Sequence, residues 1–432
     1  MSASPARSPL GLIFLTILID MIGFGIMIPV LPVYAHEARF GATEMQLGFL
    51  VGIYSLLQVI FSPLFGKISD RIGRKPVLVF SIFGTAIGFV ILGAANTLWM
   101  LFLGRIIDGI SGGNIATAQT CIADVTTPEQ RSKSMALIGV AFGLGFIIGP
   151  ALGGVLGGKF GVSVPFYVAA GLALCNALLV LRFLPETHGP EHRVQAHERT
   201  PLREVFSTEN GTMIATIVLA YLASIMGFSM MTSLFALFNQ EHFGYDIAHT
   251  GYILAYVGVL GVLIQGGLVR RLLKRPIEKQ LAMAGAGILA LSMFALPLTA
   301  QLGAALFSWS AGKTFLGLHL SPELCALLFV CIGIALGNGF ITPTLNGLVS
   351  KHTGRRVQGR ALGLMQSAGS LARFIGPILA FWLLSFDKDG PQYARIAFWV
   401  SGTIILLALI LVAAVSPAKE AVSIPAPVPE VE

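Results

Sequence analysis

Twelve stretches of this chain are too long and too apolar to stay in water. They run near 10–34, 44–65, 76–96, 98–121, 134–158, 163–184, 210–238, 248–269, 281–302, 323–349, 360–385 and 392–415. A helix of about 20 apolar residues crosses the hydrocarbon core of a bilayer, whereas a barrel strand needs only about 10. Lipid offers the backbone no hydrogen-bond partner, so segments this long must satisfy themselves as helices. Charged residues make up 11% of the chain, against about 25% in soluble proteins, and the mean hydropathy is +0.81. The expected class is an all-α integral membrane protein of twelve transmembrane helices. The first apolar run is too long for a cleaved leader and no small-residue cleavage site follows it, so it is expected to remain as span 1.

The basic residues give the orientation. With both termini cytoplasmic, 21 of the 28 lysines and arginines fall on the inner side, five on the outer side, and two, Arg105 and Arg373, inside spans. That bias follows the positive-inside rule. It accounts for the pI of 9.3 as topology, and nucleic-acid binding is excluded. Cys121, Cys175, Cys325 and Cys331 lie in or at the edges of spans without metal-ligand spacing. They read as packing residues, and no metal or cofactor is expected.

A polar break, PETHGPEHRVQAHERTPLREVFST, divides six spans from six. The two halves repeat each other: GISGGNIATAQ from Gly109 returns as GIALGNGFITP from Gly333, FIIGP as RFIGP, and MIGFGIM as IMGFSMM. Three matches in one order point to duplication. The expected organisation is an N-terminal half over 1–184, a cytoplasmic linker over 185–209, a C-terminal half over 210–416 and a cytoplasmic tail over 417–432. Paired repeats around a midplane pathway are the layout of a transporter. The semi-apolar stretch 303–322 is expected to lie along the outer interface.

Between spans 2 and 3 the chain reads GKISDRIGRKP, a burst of charge flanked by lipid-soluble sequence. Gly66 and Gly73 permit a tight turn, Arg71 and Arg74 hold the loop inside, and Asp70 can accept from the free N–H groups that open a helix. Span 5 reads GVAFGLGFIIGPALGG, where Gly145, Gly149, Gly153 and Gly154 permit close helix approach and Pro150 bends the backbone. The loop resembles the signature of the major facilitator superfamily, and span 5 resembles the antiporter motif of its drug:proton exporters. By that resemblance Asp70, Arg74 and Asp124 form a cytoplasmic gate whose acid is missing from the matching loop of the second half, VRRLLKRPIEK. Span 5 would limit leakage where the halves meet.

Four charges lie deep in the spans: Asp20, Arg105, Asp108 and Arg373. An ion at that depth costs about 2.5–3.5 kcal/mol on an isolated helix, so each is expected to face the interior. Asp20 lies about 15 Å from one end of span 1 and Arg105 about 10–12 Å from the other side. Those depths allow an Asp20–Arg105 pair, with Asp108 on the same face as a competitor for the arginine. LGRIIDG is similar to the family's helix 4 motif, where the arginine is tied to proton coupling. Span 1 and span 5 together resemble the bacterial tetracycline and multidrug exporters. Tetracycline itself is disfavoured, because the acids of helices 3 and 9 and the histidine of helix 8 in those exporters are absent here.

Polar and soft residues at depth mark a pathway: Gln58, Asn114, Gln119, Asn239, Gln265, Asn338 and Gln366, with Met226 and Phe228 as adaptable wall. Neither a P-loop nor a nucleophilic triad is present, so enzymatic chemistry has no residues to carry it. The resulting expectation is a proton-driven exporter of small amphipathic molecules in the bacterial inner membrane, monomeric and free of cofactor. The alternative is a metabolite or sugar carrier on the same fold working as importer or exchanger.

Overall fold

The computed structural model describes residues 9–126, 128–187, 202–207, 210–275, 277–315, 318–353, 357–388 and 393–416. Most of the expected linker and all of the expected tail lie outside that set. Eleven helices in the described residues are long and apolar enough to cross a membrane. They are α1 (Leu10–Ala35), α2 (Glu44–Ile72), α3 (Arg74–Gly93), α6 (Pro128–Phe160), α7 (Val164–Phe183), α9 (Gly211–Phe243), α10 (Ile247–Leu263) continued by later turns, α12 (Glu278–Ala295) continued by α13 (Thr299–Leu306), α14 (Pro322–His352), α15 (Gln358–Leu384) and α16 (Arg395–Ala414). Expected span 4 is the exception. It breaks into α4 (Leu98–Ser111) and α5 (Asn114–Asp124) at Gly112 and Gly113. A break inside a membrane frees carbonyl groups, and here Gln58 Nε2 donates to Gly112 O at 3.1 Å.

Beyond the spans, α8 (Leu202–Phe206) is a short polar helix, and a two-stranded hairpin, β1 (Lys313–Phe315) with β2 (Leu318–Leu320), follows α13. Span 8 changes pitch. After α10 a π-helical stretch covers Ile264–Val269 before α11 (Arg270–Leu272).

The packing repeats between halves. Spans 1 and 5, 3 and 4, and 3 and 6 pack together in the first half, as do spans 7 and 11, 9 and 10, and 9 and 12 in the second. The halves meet through the repeat-related pairs α2–α15 and α6–α10. Both seams are tight at the face opposite the Lys67–Lys75 segment. A methyl group built on Gly52 would lie 2.6 Å from Phe374 O, and one on Gly154 would lie 2.7 Å from Gly251 Cα. On the same four helices, Gly66, Gly139, Gly261, Gly266, Gly359 and Gly363, toward the face that carries Lys67–Lys75, meet nothing within 4 Å. The main apolar cluster joins both halves, while Ile13, Ile17, Leu78, Ile82, Ile122 and Val180 form a separate cluster at the basic end of the first half. The halves therefore touch at the far face and part toward the basic face.

The GKISDRIGRKP segment differs from its expected form. α2 continues through Gly66 to Ile72, so only Gly73 turns the chain, at φ +109°. Glycine is required there because an L side chain rarely adopts that backbone angle.

Candidate functional site

The first-half wall of the cleft is built by α1, α2, α3 and the broken span 4. Arg105 is buried and fully engaged. Its Nη1 donates to Asp108 Oδ2 at 3.3 Å, Nε to Leu50 O at 3.4 Å and Nη2 to Val51 O at 3.1 Å. Its guanidinium also lies 4.7 Å from the centre of the Tyr54 ring, a cation–π contact. The Thr85 hydroxyl supplies a further bond to Asp108. The expected Asp20–Arg105 pair is thus not made: Asp108, one helical turn along, takes the arginine.

Asp20 instead accepts from Asn114 Nδ2 at 2.5 Å, and its other oxygen, Oδ2, is buried with no hydrogen-bond partner among the described residues. Asp20, Phe24, Met27, Tyr54, Arg105 and Asp108 line one small cavity. Two acids, one arginine and a tyrosine thus share a space closed by aromatic rings. Tyr54 was not singled out in the sequence, although it stands one helical turn before Gln58, whose Nε2 reaches the Tyr54 hydroxyl at 3.3 Å.

The span 5 glycines present two faces. Gly145, Gly149 and Gly153 press on α1 at Met21, Gly25 and Ile26, while Gly154 and the carbonyl of Pro150 press on Gly251 of α10. One face thereby fixes the height and rotation of span 1 beside Asp20, and the other joins the halves.

At the basic end, Arg74 Nη1 donates to Asp70 Oδ1 at 2.6 Å and to Ser69 Oγ at 2.6 Å, and Nε donates to Asp124 Oδ2 at 3.1 Å. Sequence reasoning missed Glu186, whose carboxylate accepts from the backbone N–H groups of Arg74 and Lys75 at 2.8 and 3.3 Å. It caps α3, where the free N–H groups and the helix dipole favour an acid. In the second half, which lacks the loop acid, Glu278 and Lys351 form an ion pair. That pair joins the start of α12 to the end of α14, as Arg74 and Asp124 join the start of α3 to the end of α5, with the acid and the base on opposite helices. Arg71 is exposed at the end of α2 and makes no ion pair among the described residues.

The remaining pathway candidates divide. Gln58 and Asn114 belong to the cleft wall. Gln265 and Gln366 are exposed, Gln265 within the π-helical stretch, and Asn338 and Gln119 are half-buried. Met226 and Phe228 pack partly against the main apolar cluster. Asn239 is fully buried near the far end of α9, where its Nδ2 donates to Thr250 Oγ1 of α10 at 3.4 Å and its Oδ1 has no hydrogen-bond partner among the described residues. Arg373 Nη2 donates to Ser370 Oγ at 2.8 Å. No group of three or more metal-ligating side chains occurs among the described residues.

The family model named Major Facilitator Superfamily matches residues 13–312 and 300–430. The chain belongs to the Major Facilitator Superfamily. Within this superfamily it is 32% identical over 383 residues to the class E tetracycline resistance protein of Escherichia coli, covering 86% of this chain and 87% of that protein. It is also 27% identical to multidrug resistance protein 1 of Bacillus subtilis (strain 168), over 89% of this chain and 92% of that one. Among solved structures it resembles a bacterial homolog of the human lysosomal transporter Spinster in an inward-facing, occupied conformation, with a TM-score of 0.75, 14% identity and coverage of 97% and 98%. The human organic anion transporter MFSD10 gives a TM-score of 0.67 at 23% identity, covering 95% and 100%. These two structures establish a shared fold. The protein is a multi-pass membrane transporter of this superfamily.

Proposed function

We propose that the protein is a proton-coupled exporter of small amphipathic molecules that works by alternating access in the bacterial inner membrane. The observation that carries this reading is Asp20. It is a carboxyl group inside a span, held by one hydrogen bond from Asn114 and with a second oxygen left unpartnered. Such a group gains or loses a proton without breaking an ion pair. The bond to Asn114 links span 1 to the break in span 4, so protonation there acts on both, and span 1 is the helix whose height the span 5 glycines fix. Arg105 keeps its charge on Asp108 throughout.

The basic face is cytoplasmic by the positive-inside rule, so the cleft described above opens inward and the far face is sealed. The resistance named for two relatives, the class E tetracycline resistance protein and multidrug resistance protein 1, fits outward movement of a harmful compound. In this reading the protein is no enzyme, needs no cofactor, draws energy from the proton gradient and acts as a monomer. The expected domains keep their roles, with 1–184 and 210–416 as the rocking halves.

The test is proton movement in proteoliposomes carrying the protein and an internal pH dye. Adding an amphipathic substrate to the cytoplasmic face should collapse an imposed pH gradient in a dose-dependent way. Substrate uptake with no change in the gradient would remove proton coupling from the account.

A further inference from the structure

Arg373 sits near the middle of α15, on the second-half side of the cleft, within electrostatic reach of Tyr54 and Tyr221. Tyr221 packs against the same turn of α15, its ring edge 2.9 Å from where a Cβ on Gly369 would lie. The next residue, Phe374, closes the α2–α15 seam against Gly52, so Arg373 marks the apex of the space between the halves. Toward the basic face the same helix exposes Gln366, and Gly363 meets nothing within 4 Å.

A guanidinium has five N–H donors in a planar fork. The protein bond found for it runs from one Nη to the Ser370 hydroxyl, and no acid pairs with Arg373 among the described residues. Arg105, the other deep arginine, shows what full compensation looks like: a carboxylate and two carbonyls. Holding a cation at this depth without a counter-ion is costly, and a fork with donors to spare, on the α15 face that also carries Gln366 and Gly363, matches a planar carboxylate.

We infer that Arg373 is the recognition group for an anionic substituent, and that the preferred substrates are amphipathic organic anions, with the carboxylate on Arg373 and the apolar body between Tyr54 and Tyr221. This deepens the export reading and rests on it for passage, but binding needs neither a gradient nor Asp20. Outward passage of an anion and inward passage of a proton both run with an inside-negative potential.

The test uses the full chain in nanodiscs with no gradient, and equilibrium binding of three probes: naphthylacetate, its methyl ester and naphthylethylammonium. Wild type should bind the carboxylate about tenfold more tightly than the ester and more tightly than the ammonium, a margin set by a charge-assisted fork. Arg373→Gln should erase that margin while keeping the affinity for the ester, which also shows that the variant is folded. Arg373→Lys should keep a reduced margin, because an ammonium is a point charge without the fork. An equal affinity of wild type for carboxylate and ester, tighter binding of the ammonium, no saturable binding of the carboxylate, or an unchanged margin in both variants would overturn the proposal. Because no gradient is present, those results leave the proton-coupling reading to its own experiment.

Discussion

At the scale of single residues, the types of chemistry were legible and their pairing was not. Depth along a helix follows from counting, so Asp20, Arg105 and Asp108 were placed inside the spans correctly. Which acid receives the arginine depends on helix rotation, and rotation is set by contacts such as Gly145 on Met21 and Gly149 on Gly25, which lie far apart in sequence. Asp108 also has the advantage of sharing a helix with Arg105 at a spacing of three, so its approach needs no second element. The structure implies that Arg105 is first a structural cation. Arg105→Ala would leave Asp108 and two α2 carbonyls without their donor, and breaking a buried pair costs about 3–5 kcal/mol. The thermal midpoint of the purified protein should fall by several degrees, and Arg105→Lys should recover only part of it. An unchanged midpoint for Arg105→Ala would show that the pair contributes little to folding.

At the scale of elements, the spacing of glycines in span 5 announced close packing but could not say against what. The structure divides the motif between two partners, and the two faces should fail differently. Gly149→Leu drives a side chain into Ile22 and Gly25 of α1, where a methyl group already meets atoms at 2.6 and 2.7 Å. Overpacking of this kind costs about 1–3 kcal/mol, and it displaces the helix that carries Asp20. Proton leak without substrate is the expected result in a dye-loaded vesicle. Gly154→Leu instead wedges α6 from α10, and should raise labelling of cysteines placed along that seam from the outer side while leaving the leak small. Identical behaviour of the two variants would mean that the motif acts as one packing unit. The break in span 4 shows the other limit of sequence reading. A continuous apolar run from 98 to 121 gave one helix, yet Gly112–Gly113 interrupts it because Gln58, on another element, is there to take the freed carbonyl. Glu186 was missed for a related reason: its role as the cap of α3 is fixed only once the chain after span 6 folds back to Arg74.

At the scale of the whole molecule, the count of spans, the two halves and the basic face all followed from sequence, because hydropathy, repetition and charge bias are summed over many residues. The relation between the halves did not, since it rests on a few contacts whose partners change as the transporter moves. One such set is ionic and lies at the sealed face. Glu44 Oε1 is 3.8 Å from His36 Nε2 and 3.9 Å from Lys388 Nζ, which brings an acid and a histidine of the first half onto a lysine of the second. The neighbouring Glu44 carboxylate holds His36 above its ordinary value near 6.5, burial opposes this, the charge of Glu241 adds to it, and Lys388 subtracts. Because Glu44 belongs to the same half as His36, the raised value means that protonation stabilises the folded α1–α2 junction. That contribution is complete below the ordinary histidine value and is lost as pH rises through the raised one. The thermal midpoint of the purified protein should therefore fall between about pH 6 and pH 8, and His36→Gln should flatten that dependence. A wild-type midpoint already flat over that range would mean that the contact between His36 and Glu44 contributes little to folding. The central claim, that Asp20 carries the coupled proton, is tested most directly by Asp20→Asn in proteoliposomes, with uphill accumulation under a pH gradient and gradient-free counterflow measured on the same preparation. The account predicts that uphill accumulation disappears while counterflow persists; continued concentration of substrate by Asp20→Asn would contradict it and move the proton to Asp108.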